Sequence, residues 1–394
     1  MRTDAADQKR KLRVVLILGV AQTFAWASTY YLPAVLGGSM AAELGLERSD
    51  LFGLFSLALI VAAASGPLTG RLIDRFGGKP VLVGSSLLFA LCLVLLASAT
   101  SVWQLTLAWL GMGVGLASGL YEAAFATVVR LYGQSARSAI TGITLLGGFA
   151  STVGWPVSAW LEANYDWRIA CLTWAAVNAL VCLPLYCSLP REGTVLARPA
   201  AGRPPRQGLL HGFRNIDARM LLLAFFFSAT AFSSAAMAAH LPAVLQAAGI
   251  SAAAAIVVGM LIGPAQVGAR LLELTFMDRI KPIMTARLAV AMHPVGAVLL
   301  LAFGTPLAAV FGILHGVGNG LLTLVKGALP LEIFGSQGYG ERQGVLMVPA
   351  RLAQASAPWL FGMALAQWGA AALVLTAALG AAALVALLRL NRGA

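Results

Sequence analysis

Charged residues make up only 11% of the 394, against about 25% in a soluble domain. That shortfall excludes an ordinary water-soluble fold. Acids are fewer than bases, 15 Asp and Glu against 27 Lys and Arg. Glu122 alone among the acids lies well inside an apolar run. Cysteine is limited to Cys92, Cys171, Cys182 and Cys187, all in apolar runs. There is no C-x-x-C pair, and none of the four histidines stands at ligand spacing from a thiol. The cysteines read as small hydrophobic core residues. Three of them lie in or near one helix, which leaves thiol coordination of a soft metalloid open. Phosphate-loop, H-E-x-x-H and Ser-His-Asp patterns are missing, so the chain is expected not to be an enzyme and to need neither metal nor cofactor.

What is there is apolar sequence: 59% hydrophobic residues and a mean hydropathy of +0.84. It falls into twelve runs, at about 14–37, 51–70, 80–99, 103–129, 139–161, 169–189, 219–245, 252–272, 282–304, 306–330, 345–367 and 369–390. Runs of roughly 20 residues predict membrane-spanning helices, each satisfying its own backbone in lipid. A β-barrel would alternate over segments of about ten residues instead. The first run is long and lacks a small-residue cleavage pattern, so no cleavable signal is expected. The formal charge of +12 raises nucleic acid as a partner, but its placement argues otherwise. All the Lys and Arg except Arg48, Arg168, Lys326 and Arg351 lie in or beside alternate connections, beginning with the N-terminal tail. That is the positive-inside pattern. It puts both termini in the cytoplasm and makes the bilayer the partner, with no nucleic acid.

The chain repeats itself. The first run ends Tyr31-Leu32-Pro33-Ala34-Val35-Leu36, and the seventh ends His240-Leu241-Pro242-Ala243-Val244-Leu245. Gly66-Pro67 and Arg71-Leu72 in the second run match Gly263-Pro264 and Arg270-Leu271 in the eighth. Gly115 and Gly119 match Gly316 and Gly320; Gly142 and Pro156 match Gly344 and Pro358. Matches near one offset mean two halves of six helices, and an even number per half makes the repeat parallel. The expected organisation is a cytoplasmic tail over 1–13, a first half over 14–189, a cytoplasmic linker over 190–217, a second half over 218–390 and a cytoplasmic tail over 391–394. A short surface helix is expected around Leu209–Phe213 in the linker.

Between the second and third runs stands Gly66 to Lys79, GPLTGRLIDRFGGK, a tight polar hairpin whose Gly77 and Gly78 supply the turn. Its order Gly70-x-Leu72-x-Asp74-Arg75-x-Gly77-x-Lys79 resembles the corresponding loop of the major facilitator superfamily. With the twelve runs and the repeat, the resemblance covers essentially the whole chain. It implies an all-α membrane protein of twelve transmembrane helices in two six-helix pseudo-repeats. It also implies a secondary transporter working by alternating access, in the bacterial inner membrane, as a monomer. Asp74 is then expected to pair with Arg71, Arg75 or Arg130 and to face the start of the eleventh helix, where a helix dipole favours an anion. Gly70, Arg71, Asp74, Arg75, Gly77, Lys79 and Arg130 together form the expected latch. The second half keeps a decayed copy in Arg270, Glu273, Asp278 and Arg279. Two features depart from the family: Trp109 stands where an arginine is common, and Trp155 splits the Gly154–Pro156 pair of the antiporter signature.

A charge at mid-membrane costs about 2.5–3.5 kcal/mol on insertion scales, so charges inside the runs are functional candidates. Glu122, Lys326 and Arg351 lie about 12, 9 and 10 Å inside, counting 1.5 Å per residue from the nearest polar boundary. Resemblance implies that Glu122 and Lys326 face a central cavity. Glu122 reads either as the proton-coupling carboxyl or as one arm of a structural ion pair with Lys326 or Arg351. The surplus of cations suggests an anionic substrate, and the Arg351 fork suits a carboxylate or phosphonate; Lys326 alternatively snorkels to the interface. His315, Asn319, Thr323 and Lys326 share one helix face, a polar stripe that points into a bundle. Gln22, Trp26, Ser28, Tyr30 and Tyr31 on the first helix, Tyr121 beside Glu122, and Gln354 beside Arg351 complete the candidates. His240 reads as an interfacial residue and His293, before Pro294, as a kink partner; either is alternatively a proton relay.

The expectation is therefore a secondary transporter of a small organic solute, expected to be anionic, coupled to protons and slightly favouring efflux. Uptake of a monocarboxylate-like nutrient, efflux of trivalent arsenicals and a non-transporting membrane sensor are the alternatives.

Overall fold

The computed structural model describes residues 2–190, 217–276 and 280–390. The expected Leu209–Phe213 helix, Asp278, Arg279 and the tail 391–394 lie outside the described residues. The chain is all-α, and no strand occurs among the described residues. Ten stretches are long and apolar enough to cross a membrane; two of them, Val102–Asn164 and Tyr339–Leu390, each hold two of the twelve expected helices. By contact the chain divides into two compact units, Met1–Gly212 with Phe334–Val345, and Phe213–Ile333 with Leu346–Ala394.

In the first unit several apolar runs are not continuous helices. The first run forms α1 (Arg2–Ser28) and α2 (Leu32–Glu43), separated by Thr29, Tyr30 and Tyr31. The second and third form α3 (Arg48–Phe76) and α4 (Gly78–Ser98). The fourth breaks at Leu120 into α5 (Val102–Gly119) and α6 (Tyr121–Tyr132). The fifth breaks at Gly148–Phe149 into α7 (Arg137–Gly147) and α8 (Ala150–Asn164). The sixth runs through α9 (Trp167–Val177), a π-helical turn over Asn178–Cys182 and α10 (Leu183–Cys187). A break exposes backbone groups that lipid cannot satisfy, so each needs protein partners. At Leu120, extended at φ −93°, ψ −166°, the freed Gly119 carbonyl accepts the fully buried Gln22 amide at 2.6 Å.

The hairpin turns on one glycine rather than two. Gly77 takes φ +92° between α3 and α4. Gly78 is already helical, and a Cβ there would overlap the Thr127 side chain of α6. At the other end of the bundle, Arg168 donates to the Ala97 carbonyl at 2.6 Å and pairs with Glu43 at 2.8 Å.

The second unit carries α11 (Ala218–Ala247), α12 (Ala252–Phe276), α13 (Pro282–Phe303), α14 (Ala308–Phe334), the greater part of α15 (Tyr339–Trp368) and α16 (Leu373–Leu390). Asp217 caps α11 by accepting the Met220 N–H at 2.8 Å, as short polar side chains do at helix starts. Glycine sets the close crossings here too. A Cβ at Gly316 or Gly320 of α14 would lie 2.7 or 2.6 Å from the Ile262 or Gln266 carbonyl oxygen of α12. A Cβ at Gly318 would lie 2.8 Å from the Ala289 carbonyl oxygen of α13, and one at Gly380 2.6 Å from the Pro294 ring. These small residues draw α13, α14 and α16 together.

Candidate functional site

The hairpin side chains gather at the first turn of α15, whose opening residues belong to the first unit. Asp74 accepts the Gly340 N–H at 3.0 Å and the Glu341 N–H at 2.7 Å, one on each carboxylate oxygen. Both are N–H groups that a helix start leaves without an internal partner, and the dipole there favours the negative charge. Gly66 and Gly70 of α3 make this approach possible. A Cβ on Gly70 would overlap the Gly340 carbonyl oxygen, and one on Gly66 would sit 3.3 Å from that of Gly344.

The basic residues expected around Asp74 divide. Arg130 acts on it by charge. Arg71 instead pairs through Nε with Glu341 at 2.7 Å, and Arg75 lies over the Phe76 ring at 4.8 Å. Lys79 reaches the Cys187 and Leu189 carbonyls at the end of α10, where the helix dipole favours a cation. It serves a helix C-terminus rather than Asp74.

Glu122 lies in the first turn of α6, immediately after the break at Leu120. The sequence placed it deep in a continuous helix; the structure places it, half-buried, at a helix start inside the bundle. It acts by charge on the buried hydroxyl of Tyr339, as does Asp74. Tyr121, its neighbour, joins a cluster of rings at the broken helices. Trp26 stands 5.0 Å from Tyr30, 6.0 Å from Tyr31 and 4.9 Å from Tyr121, centroid to centroid. Tyr30 meets Phe55, Tyr31 meets Trp155, and Tyr121 stacks on Phe125 at 5.4 Å and 7°. The Trp26 indole nitrogen is buried without a hydrogen-bond partner among the described residues. Trp109, fully buried, packs edge-on to Phe55.

In the second unit the stripe on α14 does face inward. His315 is 4% exposed, its Nε2 is 3.1 Å from the Asn319 amide nitrogen, and Thr323 donates to the Asn319 carbonyl at 3.0 Å. Arg270 is buried and donates to Thr323 at 3.2 Å and to the Gly320 carbonyl at 3.4 Å. The supposed decayed latch residue therefore binds α14. Lys326, Arg351 and Gln354 are half-buried, with Arg351 and Gln354 about one turn apart on α15. His240 is bonded to the Pro358 carbonyl at 2.7 Å. His293 has more to do than relieve a kink: its Nδ1 lies 3.0 Å from His315 Nδ1 and its Nε2 2.8 Å from Thr376 Oγ1. Sequence reading missed this pair, along with Ser234, whose hydroxyl donates to the Asn319 side-chain oxygen, and Thr376. Twenty-two residues separate the two histidines, so no local spacing announces the contact. Two of the cysteines have separate packing partners. Cys182 faces the Ala21 carbonyl, and Cys92 fills the space above Gly111. Among the described residues no three metal-ligating side chains cluster.

Residues 18–307 match the model of the Major Facilitator Superfamily. The chain belongs to that family. Within it, a 3-(3-hydroxy-phenyl)propionate transporter of Escherichia coli (strain K12) is 27% identical over 90% of this chain and 88% of the relative. A 4-hydroxybenzoate transporter of Pseudomonas putida is 29% identical over 40% of this chain and 35% of the relative. Among solved superfamily structures, the human organic anion transporter MFSD10 superposes with a TM-score of 0.74 at 18% identity, covering 96% of this chain and 99% of that one. That likeness shows the fold. Membership makes this superfamily chain a transporter of small molecules and not an enzyme.

Proposed function

We propose that the protein moves small aromatic monocarboxylates across the bacterial inner membrane by proton-coupled alternating access. It does so as a monomer with both termini in the cytoplasm. The observation that carries this reading is the ring cluster of Trp26, Tyr30, Tyr31 and Tyr121, set where α1 and α5 are interrupted. Broken helices at depth are tolerated only where protein or a cavity satisfies them, and they mark binding sites in secondary transporters. Tilted and edge-on rings offer a flat aromatic solute contacts of the kind aromatic pairs make, and the Trp26 N–H, without a partner among the described residues, supplies a donor. Two relatives named for hydroxylated aromatic acids support the same class.

For the anionic group we assign Arg351 and, as the alternative, Lys326, because a guanidinium binds two carboxylate oxygens at once. Asn319, His315 and Gln354 supply neutral polar contacts, and Glu122 is assigned as the proton-coupling carboxyl of the first unit. Asp74 and its glycine crossing act as the conformational latch, opening and closing as the cycle proceeds.

Uptake takes precedence over efflux. The partial antiporter signature that favoured efflux is used for packing: a Cβ at Gly154 would lie 2.7 Å from the Ala27 side chain, and Trp155 meets Tyr31 edge-on. Among the described residues no three metal-ligating side chains gather to hold an arsenical.

The test is a thermal-shift series in detergent with 4-hydroxybenzoate, benzoate, a lipophilic cation and a trivalent arsenical. Stabilisation by the two benzoates, lost in Arg351→Ala and weakened in Trp26→Ala, is the expected result. Stabilisation by the cation or the arsenical alone would overturn the reading.

A further inference from the structure

We infer that the His293–His315 pair is a second proton-binding site, and that one added proton reverses the hydrogen-bonding polarity of Asn319 and Ser234. Nothing in the sequence pairs these groups; the packing of α11, α13, α14 and α16 does. The two imidazoles are 5.0 Å apart at 67°, joined Nδ1 to Nδ1 and flanked by Phe311. A contact between two ring nitrogens requires one proton between them, so the two rings must hold complementary tautomers.

The partners fix which. Thr376 donates its hydroxyl to the Leu373 carbonyl at 3.0 Å, so toward His293 it accepts, and His293 Nε2 carries hydrogen. His293 Nδ1 is then the acceptor, His315 Nδ1 the donor, and His315 Nε2 is bare. The bare nitrogen accepts the Asn319 amide N–H, and the Asn319 oxygen accepts the Ser234 hydroxyl. The neutral network thus donates in one consistent direction, from Ser234 through Asn319, His315 and His293 to Thr376, and His315 Nε2 is the bare ring nitrogen that faces Asn319.

A proton arriving there turns His315 Nε2 into a donor. Asn319 must rotate its amide to present oxygen, and Ser234 then receives an N–H instead of an acceptor. Its hydroxyl hydrogen stays on Ser234 and is free to turn to another acceptor. The proton balance is simple: one proton bound, one hydroxyl donor freed, one positive charge added. A small pocket lies against these groups, lined by Thr230, Ser233, Ser234, His293, His315 and Asn319 and by small and apolar residues, with room for about one water. None of its lining residues carries a fixed charge: α11 presents Thr230, Ser233 and Ser234, α14 presents His315 and Asn319, and α13 and α16 present His293 and Gly380. Thr376 completes the set from α16. A cation formed in such surroundings is costly, and an anion nearby offsets that cost. A carboxylate bound within reach of that charge and the proton would favour each other's binding, the sign required for symport.

The first arm of the test is independent of any substrate. In protein labelled with 15N-histidine, NMR at about pH 8 should show His315 protonated at Nδ1 and His293 at Nε2. Acidification well below the ordinary imidazole value of about 6.5 should bring a second proton to His315 and shift the Asn319 side-chain amide. Opposite tautomers at high pH, or an Asn319 amide that stays fixed while the pair titrates, would overturn the inference. The second arm rests on the anion-transport reading. In proteoliposomes, 4-hydroxybenzoate accumulation driven by a pH gradient is compared with its exchange at equal pH. His293→Gln and Thr376→Val should lower gradient-driven accumulation at least tenfold more than they lower exchange. Parallel losses in both assays, or an unaltered gradient response, would refute the proton site. If the wild type neither accumulates nor exchanges the benzoate, the substrate reading fails while the NMR arm still decides the histidine pair.

Discussion

Gly70 and Gly340 meet backbone to backbone, with no room for a side chain on either, and this contact brings Asp74 within hydrogen-bonding distance of the first turn of α15. One helix from the hairpin and one from far along the chain are joined by two absent side chains and one carboxylate.

Gly70→Ala should force α3 and α15 apart, because the obstacle is backbone rather than a yielding side chain. Overpacking of this kind costs about 1–3 kcal/mol, read as a lowered unfolding temperature in detergent. Gly263→Ala, where nothing lies within 4 Å, should be neutral or stabilise by up to about 1 kcal/mol. Equal effects at the two positions would show that the close crossing is not what matters.

Asp74→Asn keeps the shape of the cap but replaces one of its two acceptor oxygens with a donor. The helix start should lose about 1 kcal/mol. Exchange of labelled solute in proteoliposomes should slow while the dissociation constant measured in detergent stays nearly constant. Lost binding at an unchanged rate constant would argue against a latch.

Gln22→Leu leaves the Gly119 carbonyl unpaired inside the bundle, at about 1–3 kcal/mol. Gln22→Glu retains an acceptor but no donor and should fare no better. Hydrogen exchange across Tyr121–Ala124 is the local readout, and protection equal to wild type in both variants would contradict the capping role.

Trp26→Phe and Trp26→Ala separate ring from N–H. The first should raise KM for an aromatic carboxylate a fewfold; the second should add loss of the stacking surface, about 0.5–1.5 kcal/mol per ring pair. If both leave KM unchanged for every aromatic acid tried, the ring cluster is packing only.

Glu122→Gln should reduce accumulation driven by a pH gradient more than exchange at equal pH. Retention of full gradient-driven accumulation would remove Glu122 from proton coupling and leave the histidine pair to account for it.

Much of this was legible in the sequence because lipid imposes simple rules. Twelve apolar runs, a twofold repeat and one polar hairpin determine a twelve-helix bundle, since every buried backbone group must be paired locally. Glycines at Gly66, Gly70, Gly316 and Gly320 announce close crossings before the partners are known. The inward stripe of His315, Asn319 and Thr323 follows from helical spacing alone. The helix breaks did not follow. Leu120 is as apolar as its neighbours, and the interruption there depends on Gln22, 97 residues from Gly119, supplying the missing donor. Only the tertiary structure could turn Glu122 from a mid-helix charge into a helix-start residue. It also moved Lys79 and Arg270 from the latch to other helices and set His293 against His315. Periodicity reports which face a residue occupies. What stands opposite that face is decided by packing between segments distant in the chain.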